Sequence, residues 1–139
     1  IEPANDPDGR RVWIPTFCTG FGIPDHVVGA FADLLERAAD AQIAIHHFLG
    51  WLDGEPVATS SVVFAAGVAG IYNVATLPQA RRRGIGAAIT LAPLRMARDM
   101  GYRVGILHSS AMGVGVYQRL GFRQYCTIGH HVWQPPGDV

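Results

Sequence analysis

The stretch RRRGIGAAIT, Arg81 to Thr90, sets three cations and two glycines directly before a run with helical spacing. Glycines at 84 and 86 leave backbone N–H groups unobstructed at a helix start, where unpaired donors and the helix dipole attract an anion. Phosphate is the natural guest. The alternative is a solvated turn, with the arginines in water and the glycines easing a tight connection; these ten residues alone do not separate the two. Two phosphate loops are excluded. No Lys-Ser/Thr follows Gly86, and Ile89 stands where G-x-G-x-x-G needs its third glycine.

Proton transfer has its own candidates. Histidine has a reference pKa of about 6.5, suited to removing a proton from an amine, and His46, His47, His108, His130 and His131 are available, each equally readable as a structural or surface side chain. Neighbours on a strand point to opposite faces, so neither His-His pair is a simple two-ligand metal site; no metal is expected. Cys18 and Cys126 are far apart and lack a C-x-x-C partner, which points to buried free thiols and not to a disulfide or zinc site.

Several elements must position these groups. IPDHVVGAFADLLERAAD has Pro24 for a first turn and apolar residues at Val27, Phe31, Leu34 and Ala38, the pattern of an amphipathic helix. Ile43–Leu52 and Val57–Phe64 are rich in strand-forming residues and enclose Asp53-Gly54, a pair suited to a tight hairpin. AAGVAG turns into a third strand, IYNVATL, which stops before Pro78. Beyond the glycine loop, Ile85, Ile89, Ala92, Met96 and Met100 share one helical face, with a kink or a division into two halves expected at Pro93 and an end at Gly101. YRVGILHSS reads as a strand parallel to the one ending at Leu77, because a helical crossover joins them. Ser110 is expected to cap a short helix that runs to Leu120, with Gly121 as its left-handed terminator. A last strand from about Phe122 to Trp133 is expected to close the sheet.

Composition narrows the function. The chain has 139 residues, 49% of them apolar, enough for one core. Its 11 basic and 11 acidic side chains cancel, so no chain-wide positive field favours nucleic acid or an anionic membrane, and an anion must be bound locally. No stretch approaches the roughly 18 apolar residues of a membrane span, and the polar start IEPANDPDGRR is unlike a signal peptide, which points to the cytoplasm. The first residue is Ile1, not Met, which leaves the N-terminal boundary open.

In context the loop becomes specific. Arg81-x-x-Gly84-x-Gly86 fits the R/Q-x-x-G-x-G/A acyl-CoA motif, after the expected strand and before the expected helix; VYQRLGF, Val116 to Phe122, looks like a second hallmark, with HSSAMGVG at the join between them. The sequence resembles the GNAT N-acetyltransferase superfamily from Ile71 to Phe122, in its strand-turn-strand pattern from Ile43 to Phe64, and weakly before Asp40. The resemblance implies an α/β (α+β) fold: an antiparallel meander followed by a splayed parallel strand pair, flanked by helices. Acetyl-CoA would lie between Ile71–Leu77 and Val104–His108, its pantetheine on the backbone of Val74, Ala75, Thr76 and Leu77. Its pyrophosphate would lie on the amides of Arg82, Arg83, Gly84, Ile85, Gly86 and Ala87, supplemented by the side chains of Arg81, Arg82 and Arg83. Ser110 and Met112 fall in the join beside the cofactor. Met112 stands where many relatives have an asparagine.

Tyr117 matches the family tyrosine that donates a proton to the departing thiolate, and a main-chain N–H near Val74 or Ala75 would polarise the thioester. No carboxylate lies in Ile71–Leu77, where many relatives carry a basic glutamate, so His108 is the first candidate base and a water relay the alternative. The expected function is acetyl-CoA-dependent N-acetyl transfer to a primary amine of a small molecule or peptide, in one domain, 1–139, alone or as the C-terminal part of a longer chain. The alternative is a GNAT-fold module that senses acyl-CoA or binds a partner without catalysis. Expected partners are acetyl-CoA and the amine, with a homodimer as an option.

Overall fold

The computed structural model describes residues 1–41 and 44–133. Its elements are β1 (Glu2–Pro3), α1 (Pro7–Phe21), α2 (Asp25–Asp40), β2 (Ile45–Leu52), β3 (Glu55–Ala65), β4 (Val68–Thr76), a 3-10 turn (Pro78–Ala80), α3 (Ile85–Asp99), β5 (Gly105–Leu107) and α4 (Val114–Arg119). The five strands form one sheet in sequence order. Pairing is antiparallel from β1 to β4 and parallel between β4 and β5. The mixed sheet flanked by helices is the expected architecture. Residues 42 and 43, where the first long strand was expected to start, lie outside the described residues.

Two hairpin turns follow from residues that tolerate positive φ. Asp53 and Gly54 take φ 53° and 84°, and Ala66 and Gly67 take 49° and 76°, the twist that joins antiparallel strands without splaying them. Alternation along each strand sends Leu49 and His47 toward α1 and α2, and Phe48 and Val62 toward α3. The two histidines of the first pair accordingly part: His47 lies against Trp13, and His46 against Phe64.

The sequence reading left residues 1–21 unassigned. Asp6 caps α1 by accepting the Gly9 N–H, Pro7 occupies the first turn, and Gly22 ends the helix at φ 68°. Trp13, Ile14, Phe17 and Cys18 pack beneath it with Leu35 of α2. The face expected of α2 is rotated. Val27 and Leu34 are exposed, whereas Val28, Phe31, Ala32 and Leu35 join the core. Both sets have helical spacing, and contact with α1 selects between them.

α3 is one helix through Pro93, not two halves. The Ile89 carbonyl that Pro93 cannot serve accepts the Ser60 hydroxyl from β3. Met100, expected on the buried face, is 54% exposed because α3 has already ended at Asp99. Gly101, at φ 91°, turns the chain away as expected.

Three further expectations fail near the C-terminus. Ser110 does not cap α4: a turn in which the Ser110 carbonyl accepts the Gly113 N–H intervenes, and α4 begins at Val114 with no side-chain cap. The strand expected from Phe122 to Trp133 is absent, and Tyr125, Val132 and Trp133 are 80–89% exposed. A strand exists by pairing, and β5, at the sheet's edge, offers a ladder only three residues long. Cys126, in that segment, is exposed, so only Cys18 is the expected buried thiol.

Candidate functional site

The site is organised by the place where β4 and β5 separate. Their ladder pairs Ala69 with Gly105, Gly70 with Ile106 and Ile71 with Leu107, and ends there. From Tyr72 onward β4 is bonded to β3 and leaves its other edge open among the described residues. Asn73 sits at this point with φ 55°, in a bulge where the β3–β4 register shifts. A bulge bends its strand and adds twist, which turns the end of β4 away from β5.

Beyond the bulge, side chains alternate. Val74 packs on the α3 side, and Thr76 faces Gly86 at the start of α3. Ala75 and Leu77 are buried under α1, where Gly20 makes room: a Cβ there would stand 2.6 Å from that of Ala75. The Leu77 N–H donates to the Val57 carbonyl.

The loop then turns sharply. Arg82 takes φ 64° and Gly84 φ 79°; the former, in a residue with a side chain, is strain of the kind that clusters at ligand clamps and costs about 1–3 kcal/mol. Gly84 is the N-cap of α3 and brings no side-chain cap bond, and the first intrahelical bond runs from the Ala88 N–H to the Gly84 carbonyl. The N–H groups of Ile85, Gly86 and Ala87 therefore head the helix without an intrahelical acceptor. Apart from its chain neighbours and the backbone of its own helix, a Cβ on Gly86 would meet among the described residues only Thr76 Oγ1, at 3.7 Å, within 4 Å. Glycine at 84 satisfies the backbone; glycine at 86 keeps the space before the helix clear. Arg81, Arg82 and Arg83 are exposed, and Arg81 Nε donates to the Thr76 carbonyl, tying the loop to β4.

Tyr117 is half-buried on α4 and reaches α3. Its hydroxyl lies by Thr90, whose Oγ1 donates to the Gly86 carbonyl at 2.8 Å. Burial raises the phenol pKa above its usual 10, offset in part by Thr90, so the group keeps its proton.

His108 follows β5 and is exposed, with its ring edge-on to Tyr72 at 6.4 Å across the opening between the strands. Ser110 and Met112 are exposed in the turn before α4. The structure thus sets Thr76 beside Gly86 and Tyr117 beside Thr90, whose hydroxyl is bonded to the Gly86 carbonyl, and sets His108 beside Tyr72 on the other strand. His130 and His131 lie in the exposed C-terminal segment. Sequence reasoning missed Thr90 and Asn73. An asparagine inside an otherwise apolar strand was the available signal, since it is disfavoured in strands and tolerated at positive φ.

A pocket of about 480 Å³ lies elsewhere, between α1, the β2–β3 turn and the 3-10 turn, lined by Thr16, Thr19, Asp53, Glu55, Gln79 and Arg83 among others. Neither Tyr117 nor Gly86 borders it. Among the described residues no group of three or more His, Cys, Asp and Glu could hold a metal, and no helix is long and apolar enough to cross a membrane.

A sheet whose parallel pair parts over a bare helix N-terminus defines the class. Residues 44–124, more than half of the chain, match the acetyltransferase (GNAT) domain, and the chain belongs to that family. A stretch of 58 residues is 34% identical to mycothiol acetyltransferase from Pseudarthrobacter chlorophenolicus, covering 40% of this chain and 18% of that enzyme. The match therefore spans less than a fifth of the curated relative's length. Glucosamine-6-phosphate N-acetyltransferase from Arabidopsis thaliana has a similar fold, with TM-score 0.71 and 17% identity over 91% of this chain and 92% of that one. So does a predicted acetyltransferase from Clostridium acetobutylicum crystallised with acetyl-CoA, with TM-score 0.70 and 16% identity over 91% and 96% of the two chains.

Proposed function

We propose that this domain transfers an acetyl group from acetyl-CoA to a primary amine of a small molecule. The observation that carries the reading is the continuity between the open edge of β4 and the uncapped N–H groups of Ile85, Gly86 and Ala87. An extended pantetheine can pair with the former while its pyrophosphate meets the latter. Amino sugars are the first acceptors to try, because the similar Arabidopsis enzyme is named for glucosamine 6-phosphate.

In this reading the neutral amine attacks the thioester carbon and the oxygen gathers charge against a main-chain N–H of the bulge. The C–S bond then breaks as Tyr117 gives its proton to the thiolate. The amine proton passes to His108 or to water. Arg82, Arg83 and the loop amides hold the phosphates, with Arg81 securing the loop to β4.

The test is calorimetry with acetyl-CoA on the wild type and Gly86→Trp, followed by a CoA-release screen over amino sugars, polyamines and peptides. Binding that Gly86→Trp abolishes, with CoA released on an amine, supports the reading. Unchanged affinity in Gly86→Trp overturns the loop assignment. Tight binding with no release on any amine favours a sensor of acyl-CoA.

A further inference from the structure

The face of the sheet under α1 is apolar around Trp13, Ile14, Phe17 and Leu49, yet three adjoining strands place polar side chains there. Thr59 and Ser61 of β3 have no exposed surface, and His47 of β2 is 6% exposed. Burying polar groups is unfavourable unless they are bonded, and these are bonded to one another. His47 Nδ1 is 2.8 Å from Ser61 Oγ, and Asn73 Nδ2 donates to the same oxygen at 3.1 Å. Ser61 Oγ thus accepts from Asn73 and shares a hydrogen with His47 Nδ1, which links the three side chains. The His47 N–H donates to Asn5 Oδ1 at 2.7 Å, and its ring centre lies 4.5 Å from that of Trp13.

The chain ends on the bulge. Thr59 Oγ1 donates to the Asn73 carbonyl at 2.9 Å, so both the side chain and the carbonyl of Asn73 are held from β3 while its φ stays at 55°. A trans peptide unit is planar, with its C=O and following N–H pointing in opposite directions. With the Asn73 carbonyl drawn to Thr59, the Val74 N–H is turned away from β3. Neither Asn73 nor Val74 has a partner in the β3 or β5 register.

We propose that His47, Ser61, Thr59 and Asn73 are positioning residues: a side-chain brace across three strands that sets the β4 bulge and thereby aims the Val74 N–H at the thioester carbonyl. The inference rests on the acetyl-CoA reading above. The brace does not touch the acyl group; it acts through one peptide plane. It also accounts for polar residues where aliphatic ones would pack, and for an asparagine at a left-handed position inside a strand.

The test is isotope-edited infrared spectroscopy of the bound protein with acetyl-CoA carrying ¹³C at the thioester carbonyl, which needs no acceptor. A hydrogen bond to the carbonyl lowers its stretching frequency. The wild type should show that downshift, and Thr59→Val, nearly isosteric, should lose most of it while acetyl-CoA affinity stays within about threefold, since the loop amides are untouched. Ser61→Ala and His47→Leu should lose it in part. His47→Asn, which can keep a hydrogen-bonding group near the position of Nδ1, should retain it. A downshift unchanged in Thr59→Val, Ser61→Ala and His47→Leu, all folded and binding, overturns the brace and leaves these bonds a purely structural role. If the wild type binds no acetyl-CoA, the functional reading itself fails and the inference falls with it.

Discussion

The hydroxyl of Ser60 donates to the carbonyl of Ile89 at 2.8 Å, so β3 supplies the hydrogen bond that α3 cannot form where Pro93 lacks an N–H. All three residues are fully buried. A proline that would weaken an isolated helix is thereby tolerated, and the helix that carries the loop is tied to the middle of the sheet.

Ser60→Ala should therefore be costly out of proportion to its size. It leaves a buried carbonyl unpaired, a loss of about 1–3 kcal/mol, read as a lower urea midpoint. In a Pro93→Ala background residue 93 regains its N–H, and the same substitution should cost clearly less. Equal penalties in the two backgrounds would show that Ser60 acts through some other contact.

His47 should make the fold acid-sensitive. Burial first, then Arg10 on α1 and the neighbouring His46, hold its pKa at about 4 against 6.5 unfolded. Between those values the unfolded chain binds a proton that the folded chain does not, so stability falls as pH drops through the window. The full difference amounts to about 3 kcal/mol. Urea unfolding across that range should show the decline in the wild type and a shallower one in His47→Asn, which does not titrate there. The carboxylates of Asp6 and Glu36, both held below their usual values, lose their contributions at lower pH. A slope that persists in His47→Asn would move its origin to another group.

The two loop glycines should respond differently to alanine. Gly84 has free space but φ 79°, so Gly84→Ala should destabilise the fold by about 1–2 kcal/mol. Gly86 has no positive φ and room for a Cβ, so Gly86→Ala should leave stability unchanged or raise it by up to about 1 kcal/mol. Acetyl-CoA affinity should fall in the second variant all the same, because the methyl enters the approach to the helix amides. Thermal melts paired with calorimetry distinguish the cases, and full affinity in Gly86→Ala would place the phosphates elsewhere.

Tyr117→Phe should keep acetyl-CoA affinity and lose turnover. The ring and its edge-on contact with Phe122 survive, whereas a general acid is worth about 10²- to 10⁴-fold. Because burial raises the phenol pKa, the wild-type rate should hold through neutral pH and fall only as pH passes above the ordinary tyrosine range, a limb missing from the variant. Turnover within about threefold of wild type would make Tyr117 a packing residue.

Local chemistry was enough for much of the architecture. Asp53-Gly54 announced its turn because the pair accepts positive φ, Gly101 and Gly121 marked helix ends for the same reason, and the four-and-three spacing from Ile85 to Met96 described a helix facing the sheet. The bare helix start at Gly84 and Gly86 was legible because its requirements, small residues before a helical run, lie within a few positions of one another. Ser110, Leu34 and the segment from Phe122 to Trp133 were misread because each depended on a distant partner. A cap needs the helix to begin beside it, a buried helix face needs α1 to choose among equivalent spacings, and a strand needs an edge long enough to pair with. The contacts among His47, Ser61 and Asn73, and between Ser60 and Ile89, have no sequence signal at all. Separate strands and a facing helix bring their atoms together, and only the folded sheet determines which hydroxyl meets which unpaired carbonyl.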